Sequence, residues 1–164
     1  MFELIDSKKV DLLNLNANLY EHSKFKTKHL HLESDNSEKV FMVAFKTVPE
    51  DSTGIAHILE HTALCGSKRF PVRDPFFMML RRSINTFMNA FTSSDWTAYP
   101  VATQNPEDFE NLLKVYTDAA FFPNLDELDF FQEGHRLEFN ENNELEIKGV
   151  VFNEMKGAMS APSS

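Results

Sequence analysis

The 164-residue sequence predicts an α+β fold, a mainly antiparallel sheet covered on one side by helices. Three observations carry this. Lys39-Val40-Phe41-Met42-Val43-Ala44-Phe45-Lys46-Thr47 is an almost unbroken apolar run of strand length. Residues 85–92 and 95–102 are two further strand-like runs joined by Ser93-Ser94. Residues 105–123 carry Phe109, Leu112, Leu113, Tyr116, Ala119 and Ala120 on one face at helical spacing. An apolar content of 42%, with 16 phenylalanines, suffices for a real core, so residues 1–164 are expected to form one domain.

Taken in order, residues 15–33 alternate polar and apolar in places and predict a half-buried strand or hairpin, followed by a turn at 33–37. His22, His29 and His31 fall there. None has a ligand partner nearby at helical spacing, so they read as partly exposed strand residues. The 39–47 run, apolar on both faces, is expected at the centre of its sheet. Pro49-Glu50-Asp51-Ser52-Thr53-Gly54 breaks it and starts a helix that Gly66 ends. Asp74-Pro75 predicts the N-cap and first position of a helix reaching about Arg82. Asn105-Pro106-Glu107-Asp108 opens the amphipathic helix, which stops near Pro123. A second helix is expected over 126–139, carrying His135, then a turn at 140–144, a short strand at 145–147 and a last helix over 149–159.

The chemistry is concentrated in Gly54-Ile55-Ala56-His57-Ile58-Leu59-Glu60-His61-Thr62-Ala63-Leu64-Cys65-Gly66. On a helix, His57 and His61 stand four residues apart on one face, the spacing that lets two imidazoles bind one Zn²⁺. Glu60 beside them is poorly set to be a second ligand from this helix but well set to take a proton from water, so it reads as the general base. H-x-x-E-H is the inverted zincin signature. The intervening apolar residues predict a helix buried on most sides, where unpaired imidazoles and a carboxylate would be costly. Cys65, four residues after His61, reads as a small buried thiol near the site rather than a third ligand.

The net charge of -9 argues against a nucleic-acid surface and suits an acidic interior that attracts basic peptides. A single cysteine excludes an internal disulfide and predicts a reducing compartment. The start has no apolar signal region and there is no run of about 18 apolar residues. The expectation is a soluble protein with no membrane partner, cytoplasmic, or in the mitochondrial matrix if a presequence has been removed.

His57-Ile58-Leu59-Glu60-His61, Leu64-Cys65-Gly66-Ser67, Asp74-Pro75-Phe76-Phe77, Asn85-Thr86-Phe87-Met88-Asn89-Ala90-Phe91-Thr92 and Gly149-Val150-Val151-Phe152-Asn153-Glu154-Met155-Lys156-Gly157 occur in this order. Together they resemble the N-terminal part of the pitrilysin (insulinase-like) metallopeptidases, most of all their presequence protease branch. The resemblance implies a pitrilysin-type peptidase domain with one Zn²⁺, held by His57, His61 and Glu154. It implies Glu60 as the base that activates water, and Asn89, Ala90 and Phe91 as part of an edge strand that aligns a peptide substrate. The implied activity is zinc-dependent endopeptidase cleavage of short unstructured peptides, such as cleaved targeting peptides, inside a closed chamber. Chemistry agrees on Glu154, since two histidines leave a catalytic zinc under-filled and His₂Glu is a known set. Glu154 also shares its predicted helix with Val150, Val151 and Met155, an apolar setting where an isolated carboxylate would be hard to bury.

Members of that family are much longer, with a distal half that supplies an Arg-Tyr pair to the substrate. The sequence is therefore expected to be an N-terminal zinc-peptidase domain truncated at its C-terminus, whose partner is the missing C-terminal half. The competing reading is a catalytically incompetent fragment or relative serving as a metal-binding or partner-binding module. A purely structural zinc site ranks last, because it gives Glu60 no purpose.

Overall fold

The computed structural model describes residues 1–160; the tail 161–164 lies outside the described residues. The chain divides into two compact units, Met1–Ser37 and Glu38 onward.

The first unit is an antiparallel meander of β1 (Phe2–Val10), β2 (Leu15–His22) and β3 (Lys28–Ser34). β1 pairs with β2 from Phe2↔His22 to Val10↔Leu15, and β2 with β3 from Leu15↔Ser34 to Glu21↔Lys28. β1 has no counterpart in the sequence-based expectation, because its alternation breaks at the bulge between Leu4 and Asp6. The three histidines are strand residues as expected. The Phe2 ring meets His22 and His29 edge-on, and His22 Nδ1 accepts the Phe25 N–H at 3.1 Å within the β2–β3 turn.

The second unit is built around β7 (Trp96–Thr103). Its register with β4 (Lys39–Lys46) runs from Lys39↔Thr103 to Lys46↔Trp96. Its other edge is taken by two short strands, β5 (Phe87–Met88) and β6 (Phe91–Thr92). β7 is therefore the central strand, buried from Thr97 to Thr103. β4, expected at the centre, lies at an edge among the described residues, with Val40 and Met42 exposed. A continuous apolar run marked it as a strand but does not say which of two strands has neighbours on both sides. The expected 85–92 strand is likewise divided, with Asn89 and Ala90 as a step between β5 and β6.

Helices α1 (Ile55–Ala63), α2 (Pro75–Arg82) and α3 (Pro106–Phe121) follow the predicted positions closely, although α1 stops at Ala63 rather than at Gly66. The Asn105 side chain caps α3 by accepting the Asp108 N–H at 3.0 Å, and Pro106 occupies the first turn. Leu112 and Tyr116 of α3 and Ala63 of α1 pack on Met88, Tyr99 and Val101 of the sheet, and these residues form the core.

The expected helix over 126–139 is not one element. α4 (Glu127–Glu133), capped by Asp126, stops before Gly134, and the chain continues as β8 (Arg136–Phe139), paired with β9 (Leu145–Lys148). Arg136-Leu137-Glu138-Phe139 alternates with period two, which suits a strand better than a helix. One face of this hairpin carries the ion pairs of Glu138 with Arg136 and Lys148. The other carries Leu137, Ile147, Phe139 and Leu145, all exposed among the described residues. α5 (Val150–Met159) follows as predicted.

Leu112 has no exposed surface, so Leu112→Ala is expected to lower the free energy of unfolding by about 2–5 kcal/mol. Leu137→Ala, on the bare hairpin face, should stay within about 0.5 kcal/mol of wild type. Urea unfolding followed by circular dichroism checks both.

Candidate metal centre

Gly54 adopts the left-handed conformation, φ 73°, and turns the chain into α1. The helix then stacks His57 and His61 on one face with ring centroids 5.0 Å apart. Glu154 reaches them from α5. Its Oε2 lies 3.9 Å from His57 Nε2 and 3.8 Å from His61 Nε2. The three ligand atoms all lie within 4.8 Å of one another. Tetrahedral ligands at zinc bonding distances are about 3.3 Å apart, so this set needs only a small contraction to close on one ion. The sequence-predicted triplet is brought together from segments almost a hundred residues apart.

A close backbone approach brings these segments together. A Cβ on Gly149, just before α5, would run into the carbonyl oxygen of Gly134, and one on Gly134 would lie 3.1 Å from Ile58 Cγ2 of α1. The Gly134 turn is thus wedged between the metal helix and the start of α5.

Glu133, at the end of α4, is the site residue that sequence reasoning missed. His61 Nδ1 donates to Glu133 Oε2 at 3.0 Å, and Gln132 Nε2 donates to Glu133 Oε1 at 2.9 Å. The hydrogen bond from His61 holds the buried Glu133 carboxyl below its ordinary range, and the same bond raises the His61 pKa against the opposing effect of burial. Glu133 is thus placed to hold a proton on His61 Nδ1, which makes Nε2 of the neutral ring the nitrogen available on the side of Glu154 and His57. No spacing rule could have found a partner 72 residues away. The only available signal was the general need of a ligating histidine for a carboxylate or carbonyl on its other nitrogen.

Glu60 is buried, and its Oε2 accepts the Thr92 hydroxyl at 2.6 Å. It lines a cavity of about 120 Å³ with His61, Leu64, Phe76, Phe77 and Ala90. Cys65 is a buried neutral thiol near that cavity, pushed up to about 12 by burial, with a weak contact to the His61 carbonyl oxygen. His135 packs against Phe130 and does not join the metal cluster among the described residues.

Asn89, Ala90 and Phe91 lie on the sheet edge beside this cavity. Asn89 N–H donates to Pro100 O at 3.2 Å and its carbonyl accepts the Tyr116 hydroxyl, while its side chain accepts the Ala90 N–H. Burial pushes the Tyr116 phenol up, so it remains a donor. Phe91 is exposed and faces outward with Phe87.

Two expectations about burial need correction. α1 is not buried on most sides, since Ile55 and Leu59 are exposed while the polar Glu60 and Thr62 are buried. Glu154 is half exposed, so the difficulty of burying it does not explain its position.

The H-x-x-E-H helix and the carboxylate that reaches it from α5 together form a candidate metal centre of the inverted zincin pattern. The chain matches the model of the family described as Insulinase (Peptidase family M16) over residues 47–160, and it belongs to that family. It is 59% identical over 152 residues to the mitochondrial presequence protease of Danio rerio, covering 90% of this chain and 15% of that protein. To the mitochondrial presequence protease of Candida albicans it is 52% identical over 165 residues, covering 97% and 16%. The chain thus spans about a sixth of the length of these relatives, and the resemblance to the presequence protease branch holds along almost all of it. Among solved structures, pitrilysin superposes with a TM-score of 0.65 at 23% identity, covering 77% of this chain and 14% of that one, which bears out the pitrilysin-like fold.

Two outcomes are expected. Gly149→Ala should displace the start of α5 and weaken zinc binding with little change in a zinc-independent spectrum of the sheet, read by chelator competition. Glu133→Gln should weaken zinc binding by about 10- to 100-fold.

Proposed function

We propose that the chain is the N-terminal, metal-bearing part of a zinc-dependent endopeptidase that degrades short unstructured peptides, cleaved mitochondrial targeting peptides among them. The observation that carries this reading is the convergence of His57 Nε2, His61 Nε2 and a Glu154 oxygen beside the buried carboxylate of Glu60. These three residues would hold one zinc ion, and their donor chemistry fits it. Bound there, zinc supplies Lewis acidity toward a water and toward the scissile carbonyl.

The chain's own residues supply the rest. Glu133 keeps the His61 ring oriented and its Nδ1 protonated. Glu60 accepts the proton of the attacking water and passes it to the departing amine, so that one carboxylate serves both halves of the cleavage. The apolar walls of the adjacent cavity, Leu64, Phe76, Phe77 and Ala90, suit an apolar side chain next to the scissile bond. Asn89, Ala90 and Phe91 align the peptide along the sheet edge, with the exposed Phe91 ring as a stacking surface.

The substrate class rests on the names of the relatives and on charge. Targeting peptides of mitochondria are Arg-rich and poor in acidic residues, and a net charge of -9 complements them. The names of these relatives favour the mitochondrial location over the cytoplasmic one. Because those relatives are about six times longer, the rest of the length is assigned the grip on the substrate.

Metal analysis and hydrolysis of a quenched targeting peptide, both on the full-length enzyme, test this. Glu60→Gln should retain one zinc and lose cleavage, while Glu154→Ala should lose the metal. Wild-type turnover in Glu60→Gln, or full zinc occupancy in Glu154→Ala, refutes the corresponding role.

A further inference from the structure

A line of threonine hydroxyls ends on Glu60. Thr92 on β6 donates to Glu60 Oε2 at 2.6 Å, Thr97 Oγ1 on β7 lies 3.3 Å from Thr92 Oγ1, and Thr47 Oγ1, just past β4, lies 2.8 Å from Thr97 Oγ1. Each hydroxyl has one proton to give. That of Thr92 is committed to the carboxylate, so Thr97 must donate to Thr92, and Thr47 must donate to Thr97. The three protons therefore all run toward Glu60, an arrangement in which each bond polarises the next. The backbone sets the spacing, since Thr92 and Thr97 are cross-strand partners and the Thr47 N–H donates to Asp95 O at 2.9 Å. Thr97 and Glu60 are buried, which keeps water from substituting for these contacts.

We propose that Thr92, backed by Thr97 and Thr47, is a positioning residue for the proton-accepting carboxylate. By occupying Oε2 it fixes the rotation of a side chain whose last torsion is otherwise broad, and it leaves Oε1 as the atom that meets the reacting water. This rests on the assignment of Glu60 as the base. It adds that the base is held from the sheet, across the cleft from its own helix. Misplacement of a reacting group by about 1 Å can cost on the order of 100-fold in rate, so the contact is worth keeping even though it forms no bond to substrate.

The test uses the full-length, zinc-loaded enzyme and a quenched peptide. Thr92→Val keeps the β-branched shape and removes the hydroxyl. It should lower kcat by about 10- to 100-fold, with KM within about twofold and zinc content unchanged. Thr92→Ser, which restores the hydroxyl, should recover most of kcat. Thr97→Val breaks the line one step further back and should lower kcat several-fold in the same way; it decides the matter if Thr92→Val does not fold. In a crystal structure of metal-free Thr92→Val, the Glu60 carboxylate should have left its wild-type position. Wild-type kcat in Thr92→Val, a loss carried by KM, or a Thr92→Ser variant as impaired as Thr92→Val overturns the proposal. If Glu60→Gln is inactive while Thr92→Val is not, only the positioning role fails; if Glu60→Gln is fully active, the base assignment fails with it.

Discussion

The close passage of Gly134 against Gly149 is the constraint on which the site depends. Two glycines let the end of α4 and the start of α5 come within backbone contact, and the same turn presses on Ile58 of the metal helix. The Glu133 side chain, one residue before Gly134, is thereby brought to His61, and Glu154, five residues after Gly149, to both imidazoles. A side chain at either glycine would separate three helices that must meet to make one site. The glycines act here through space, since neither lies in the left-handed region: Gly134 has φ -77° and Gly149, at φ 170°, is extended.

The site also divides its carboxylates by environment. Glu133 is buried and satisfied by two donors, so its charge serves to fix a histidine tautomer. Glu60 is buried with one oxygen occupied by a threonine hydroxyl, which suits the proton-accepting role proposed for it. Glu154 is open to solvent and bonded to neither imidazole closely, which suits a ligand that can follow an ion by a fraction of an ångström. Three glutamates of the same chemistry thus differ in what surrounds them, and the roles proposed for them follow that difference.

The helices and the histidine pair of the candidate metal centre were largely legible in the sequence, because helix signals are local. Asn105-Pro106 and Asp74-Pro75 mark starts, and His57 and His61 share a face by spacing alone. Glu154 was reached through the family resemblance and not through spacing. The sheet was less legible. β4 and β7 are both apolar runs, and nothing local distinguishes the strand with one neighbour from the strand with two. The stretch 126–139 reads as one helix until its last four residues pair with β9, a long-range contact that overrides the local pattern. Glu133 and the threonine line were invisible for the same reason: each acquires its role only through residues distant in sequence, Thr47 and Thr97 being 50 positions apart.

The bare face of the β8–β9 hairpin, with Leu137, Phe139, Leu145 and Ile147 side by side, bears on how the protein behaves as a material. A contiguous apolar patch on a two-stranded ribbon is what soluble monomers ordinarily conceal. Handled by itself, the polypeptide would cling to its own copies, to chaperones or to plastic before it ever met a substrate. Detergent or fusion to a solubilising carrier would be the practical remedies.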